Sequence, residues 1–100
     1  MKILDKIRIG SVDYDIKQTD NNVVVDGRTC YGAIRYSDHV IELDGKLCDR
    51  QRMELTLLHE MFHGILHERA IQVENEEELV EGLARGMHQI LRDNSEMFSD

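Results

Sequence analysis

The sequence predicts a single α+β domain spanning residues 1–100, in which a small, largely antiparallel sheet from the first half packs on two helices from the second. Three observations predict it. Apolar and charged residues alternate with a period near two up to about residue 44, and from Asp49 onward the period becomes helical. A chain of 100 residues is long enough for one hydrophobic core and too short for a second module.

Each element has its own signal. The stretch KIRIGSVDYDIKQ opens the sheet, with Ile7, Ile9, Val12, Tyr14 and Ile16 separated by charges. NVVVDG follows, then CYGAIRY and HVIELDG, the last two joined by Ser37 and Asp38, a pair suited to a tight turn. DRQRMELTLLHEMFHGILHER then reads as one long helix, with Asp49 as its N-cap, because a short acidic side chain can satisfy a free backbone N–H there. A second helix is expected over roughly Glu76–Arg92, ending near Asp93 and Asn94, with Leu79, Val80, Leu83, Ala84, Met87, Ile90 and Leu91 as its apolar stripe.

Charge narrows the function classes. Twenty acidic residues against twelve basic ones give a net charge of −8, which opposes nucleic acid and anionic membranes over most of the surface. Much of that charge sits in the run Glu74–Glu78. No apolar stretch is long enough for a signal peptide or a membrane span, so a cytoplasmic protein is expected. Cys30 and Cys48 lack CxxC spacing and are expected as free thiols in a reducing compartment.

The chemistry concentrates in TLLHEMFHGILHE, from Thr56 to Glu68. On a helical projection His59, His63, Thr56, His67, Glu60 and Gly64 share one arc, opposite Leu55, Leu57, Leu58, Met61, Phe62, Ile65 and Leu66. That polar arc carries no lysine or arginine, unlike an ordinary solvated helix face. It spells H-E-x-x-H. His59 and His63 are one turn apart and can hold two corners of a metal site, while the adjacent Glu60 can serve as general base towards a water that the metal acidifies.

A third ligand must come from elsewhere. His67 lies two turns beyond His59, ~12 Å along the axis, and is poorly placed. Position 69, where the metzincin pattern requires histidine, holds Arg69. The remaining candidates are Glu77, Glu78 and Glu81 on the second helix, if the two helices are antiparallel across the Ala70–Asn75 loop. Glu81 is preferred because it leads into Gly82, which permits close approach, and lies near the apolar edge at Ala84; Glu77 is nearer that edge on the helical wheel. Outside this set, His88, Tyr36 and Arg85 are candidates for orienting a ligand or polarising a carbonyl, and His39 is read as structural. The hairpin CYGAIRYSDHVIEL offers a strand edge that could bind an extended peptide.

The motif HEMFH followed by E-G-L-A resembles the gluzincins. The run IELDGKLCDRQRMELTLLHEMFHGILHE is similar to the ImmA/IrrE group of small metallopeptidases of phages and mobile elements, and the resemblance extends over roughly Tyr31–Leu91. Where that group commonly carries an E-A-N-type motif, this chain reads ELVEGLA. The resemblance implies a zincin-like fold, zinc as cofactor and peptidase activity. By the same resemblance His59, His63 and a second-helix glutamate, Glu81 in the preferred assignment, are metal ligands and Glu60 is the catalytic base. It also implies a specific protein substrate, often a transcriptional repressor. The alternative is a non-catalytic, metal-containing module that binds and regulates a partner.

Overall fold

The computed structural model describes residues 1–100. Six strands precede two helices: β1 (Lys6–Ile9), β2 (Val12–Thr19), β3 (Val23–Val25), β4 (Arg28–Cys30), β5 (Gly32–Arg35), β6 (Val40–Asp44), α1 (Arg50–Glu68) and α2 (Glu76–Asp93), with a 3-10 turn over Ser95–Phe98. The α+β class expected from the sequence is the one observed.

The sheet differs from expectation in two ways. Its order is β1-β2-β6-β5, and the central pairing of β2 with β6 is parallel, from Asp15 opposite Val40 to Thr19 opposite Asp44. The sheet is therefore mixed. NVVVDG does not join it; β3 pairs with β4 as a separate hairpin, turned by Asp26 and Gly27, both at positive φ. KIRIGSVDYDIKQ is itself a hairpin, β1 to β2, with Gly10 at φ 61° in the turn position where only glycine is unstrained.

Alternation along the strands sends Ile9, Tyr14, Ile16, Ile41 and Leu43 to one face, where they meet Met53 and Leu57 of α1. At ~25 cal/mol per Å2 of apolar surface, burying each such side chain stabilises the fold by about 1.5–3 kcal/mol. Tyr14 is fully buried, and its hydroxyl donates to Glu68 at 2.5 Å, tying β2 to the last turn of α1. His39 occupies a left-handed turn position at φ 54° ahead of β6. Its ring meets Tyr14 edge-on, so it is structural.

Asp44 sets the entry to α1. One carboxylate oxygen accepts from the backbone N–H groups of Lys46 and Leu47, folding the turn. Asp49 then caps the helix as expected, accepting from Arg52 N at 2.8 Å.

The arc of α1 read as polar is partly buried. Thr56, Glu60 and Gly64, spaced four residues apart, are all buried and face β5. Close approach explains the two glycines here. A Cβ on Gly32 would lie 2.6 Å from the Thr56 methyl, and one on Gly64 would lie 2.8 Å from Ile9 Cδ1 and 3.1 Å from Ile34 Cδ1. Meanwhile Ile65, on the arc read as apolar, is exposed.

α2 lies antiparallel to α1, but its buried line is rotated from the expected stripe. Val80 and Ala84 are buried while Leu79, Leu83 and Ile90 are exposed. The rotation brings Glu77, Glu81 and His88 towards α1. His88 Nε2 lies 3.0 Å from Glu54 Oε1, with both side chains nearly buried, and Arg50 bonds the other oxygen of Glu54 at 3.0 Å. This polar clasp joins the helices below the histidine pair and accounts for His88. No helix is long and apolar enough to cross a membrane.

Candidate metal centre

The i, i+4 spacing of α1 places the imidazoles of His59 and His63 side by side, their ring centroids 4.9 Å apart. Opposite them α2 presents Glu77. Its Oε1 lies 2.6 Å from His59 Nε2 and its Oε2 lies 2.9 Å from His63 Nε2. The ligand atoms of His59, His63 and Glu77 all fall within 4.8 Å of one another, and two imidazoles with a carboxylate are a donor set that could hold a divalent metal ion.

The structure separates the three acids that the sequence leaves as alternatives. Glu81, the preferred third ligand, stands outside the group of three, with Oε1 3.4 Å from the Nδ1 of His59, the ring nitrogen facing away from Glu77. Glu76, not among the candidates drawn from the sequence, takes the equivalent place at His63, 2.7 Å from its Nδ1. Glu78 is exposed and contacts neither histidine. Each imidazole is thus held between two carboxylates. An acceptor on Nδ1 fixes the ring's tautomer and orientation, leaving Nε2 free to ligate. Arg85 extends one branch, its Nε 3.7 Å from the same Glu81 oxygen that meets His59.

Glu60 is buried beside this cluster, 8% exposed. Burial pushes its carboxyl above the ordinary value; His59 and His63 oppose that shift, Glu77 adds to it, and a hydrogen bond from the Ile34 backbone opposes it. A raised carboxyl sits closer to neutrality, where a base can both take and return a proton. At His63 burial acts downward, but the carboxylates of Glu76, Glu60 and Glu77 outweigh it and raise the imidazole.

These groups line an open cleft of about 730 Å3 between α1, α2 and β5. Tyr36 closes one end: its ring stacks on His67 at 3.8 Å, and its hydroxyl donates to the His63 carbonyl over a long 3.4 Å. Burial, reinforced by Glu76, Glu60 and Glu68, pushes the phenol up to about 12, so it stays a donor at neutral pH. His67 takes no part in the histidine cluster.

The floor of the cleft is a sheet edge. Asp44 N donates to Tyr31 O, and from that pair the antiparallel register of β5 on β6 directs the backbone groups of Ala33 and Arg35 towards β6 and those of Gly32 and Ile34 outward. No strand pairs with that outer edge.

Comparison with known proteins gives no matching family model, no matching curated protein and no matching solved structure.

Proposed function

We propose that this protein is a minimal zinc metallopeptidase with a zincin-like active site, acting on a specific protein partner. The observation that carries the reading is the convergence of His59, His63 and Glu77 with a buried, unligated Glu60 in one open cleft. Three protein donors leave a coordination position free, as catalytic zinc sites do and structural ones do not. Glu77 is the third ligand in this reading, while Glu81 and Glu76 orient the two histidines. When bound, zinc supplies a Lewis acid that polarises an amide carbonyl and acidifies water.

The chain's own residues supply the rest. An extended peptide adds to the outer edge of β5 through the backbone of Gly32 and the carbonyl of Ile34, whose N–H is held by Glu60. Glu60 takes a proton from the attacking water as the new C–O bond forms, and returns it to the amine nitrogen as the C–N bond breaks. Tyr36, protonated at working pH, turns its hydroxyl from the His63 carbonyl to the substrate oxygen and stabilises the charge developing there. The likeness to the ImmA/IrrE group favours a repressor as substrate, and the free thiols of Cys30 and Cys48 suit the cytoplasm.

The test incubates zinc-loaded protein with casein and with a candidate repressor, each beside Glu60→Gln. Selective cleavage of the repressor, lost in Glu60→Gln with zinc retained, is expected. Equal cleavage by the variant would remove Glu60 from the mechanism, and saturable repressor binding without any cut would favour a non-catalytic binding module.

A further inference from the structure

The cleft is electrically lopsided. Around the histidines it holds Glu60, Glu77 and Glu81, whereas towards the start of α1 it carries Arg52 and, one helical turn beyond Glu81, Arg85, beside Tyr31 and Leu55. In a chain with net charge −8, two cations at one end of a groove are out of keeping with the surroundings.

Neither arginine is consumed by the fold. Arg8, Arg35 and Arg50 are paired with Asp13, Glu42 and Glu54 on other faces. Arg52 forms no ion pair; its guanidinium is held 4.9 Å above the Tyr31 ring, a contact that orients the cation without neutralising it. Asp49, the nearest acid along the chain, accepts from the backbone N–H of Arg52. Arg85 meets Glu81 only through Nε, at 3.7 Å, and its terminal nitrogens make no other ion pair. The first turn of α1 and the middle of α2 therefore present one fixed fork and one anchored fork to the same cleft.

Distance and direction convert this into a substrate preference. Arg52 is seven residues before His59, ~10 Å along α1, which an extended peptide covers in about three residues at ~3.3 Å each. β5 runs from Gly32, packed on Thr56, towards Ile34 beside Glu60 and then Tyr36 beside His63. A peptide added in the more stable antiparallel sense runs the other way, so its C-terminal part reaches Arg52 and Arg85.

We propose that Arg52 and Arg85 form a carboxylate subsite selecting peptides that carry an acidic side chain, or a free C-terminus, about three residues to the C-terminal side of the cleaved bond. This rests on the peptidase reading above and names its substrate class.

The test uses zinc-loaded full-length Glu60→Gln and fluorescein-labelled alanine-based octapeptides, each with one glutamate moved along the chain and with either a free or an amidated C-terminus. Anisotropy should show a preference of about fivefold to tenfold for one glutamate register or for the free C-terminus; the amide arm tells which carboxylate is read. Adding Arg52→Gln or Arg85→Gln should erase most of that preference, and Arg52→Glu with Arg85→Glu should turn it towards lysine at the same register. Affinity equal across the peptides, no binding to any of them, or a preference untouched by the arginine changes would overturn the subsite. The unmutated protein, run on the same peptides, keeps the two readings apart. Register-dependent binding without cleavage sustains the subsite and defeats the peptidase, while cleavage indifferent to register does the reverse.

Discussion

Removing the Glu77 carboxylate should weaken metal binding more than removing any other acid of α2. Both its oxygens face the inward histidine nitrogens, at 2.6 Å from His59 Nε2 and 2.9 Å from His63 Nε2. Glu81 and Glu76 meet only the Nδ1 atoms. Loss of a group that merely orients a ligating histidine costs about tenfold to a hundredfold in affinity. Loss of Glu77 removes a ligand and a full charge beside the ion, so it should cost about a hundredfold or more, ~2.7 kcal/mol. Glu81→Ala and Glu76→Ala should each fall nearer tenfold, ~1.4 kcal/mol. Glu78→Ala should bind as the parent does. Competition for zinc against a chromophoric chelator ranks the four variants, with circular dichroism to show that each is folded. If Glu81→Ala loses more affinity than Glu77→Ala, Glu77 is not the third ligand and α2 sits on α1 one turn away from the register that pairs Glu77 with both histidines.

Gly32→Ala should destabilise the protein by about 1–3 kcal/mol in urea, because the new methyl meets the Thr56 methyl at 2.6 Å and the backbone oxygen of Glu42 at 2.8 Å, and the latter cannot swing aside; a variant as stable as the parent would refute the packing. Glu54→Gln should cost about 1–2 kcal/mol at pH 7, since it weakens hydrogen bonds to a charged, nearly buried group. Burial raises Glu54, but hydrogen bonds from His88 and Arg50 more than reverse this and leave its folded pKa below the ordinary value. Its contribution is therefore complete above about pH 4.3 and lost as pH falls through the lower folded value. The gap between parent and variant in denaturation midpoint should shrink below about pH 4, and a gap that instead widens in acid would show that Glu54 is not held as a carboxylate.

The parts of this fold that could be read from sequence are those fixed by local chemistry. Asp49 announces the start of α1 because a cap is a short-range hydrogen bond, now seen at 2.8 Å to Arg52 N. The side-by-side placement of His59 and His63 follows from helix geometry alone. What could not be read depends on how separate elements meet. The parallel pairing of β2 with β6 arises from strands distant in sequence, so alternation cannot reveal it. Thr56, Glu60 and Gly64 look polar on a wheel, yet a methyl, one hydrogen-bonded carboxyl and a bare backbone let β5 approach closely. Glu77 and Glu81 are four residues apart on one helix face, and only the axial register of α2 on α1 decides which of them faces Nε2. One missed feature did leave a signal. Glu54 is one turn before Leu58 on the apolar arc, and an acid in that position needs a partner, which His88 provides.

The most direct test of the central claim is the zinc coordination shell, measured by X-ray absorption and crystallography of the zinc-loaded protein. One zinc is expected, bound by Nε2 of His59, Nε2 of His63 and the Glu77 carboxylate, with nitrogen distances of ~2.0–2.1 Å and one position open to solvent. A shell closed by four protein donors, or a protein that takes up no zinc with both histidines intact, would contradict it.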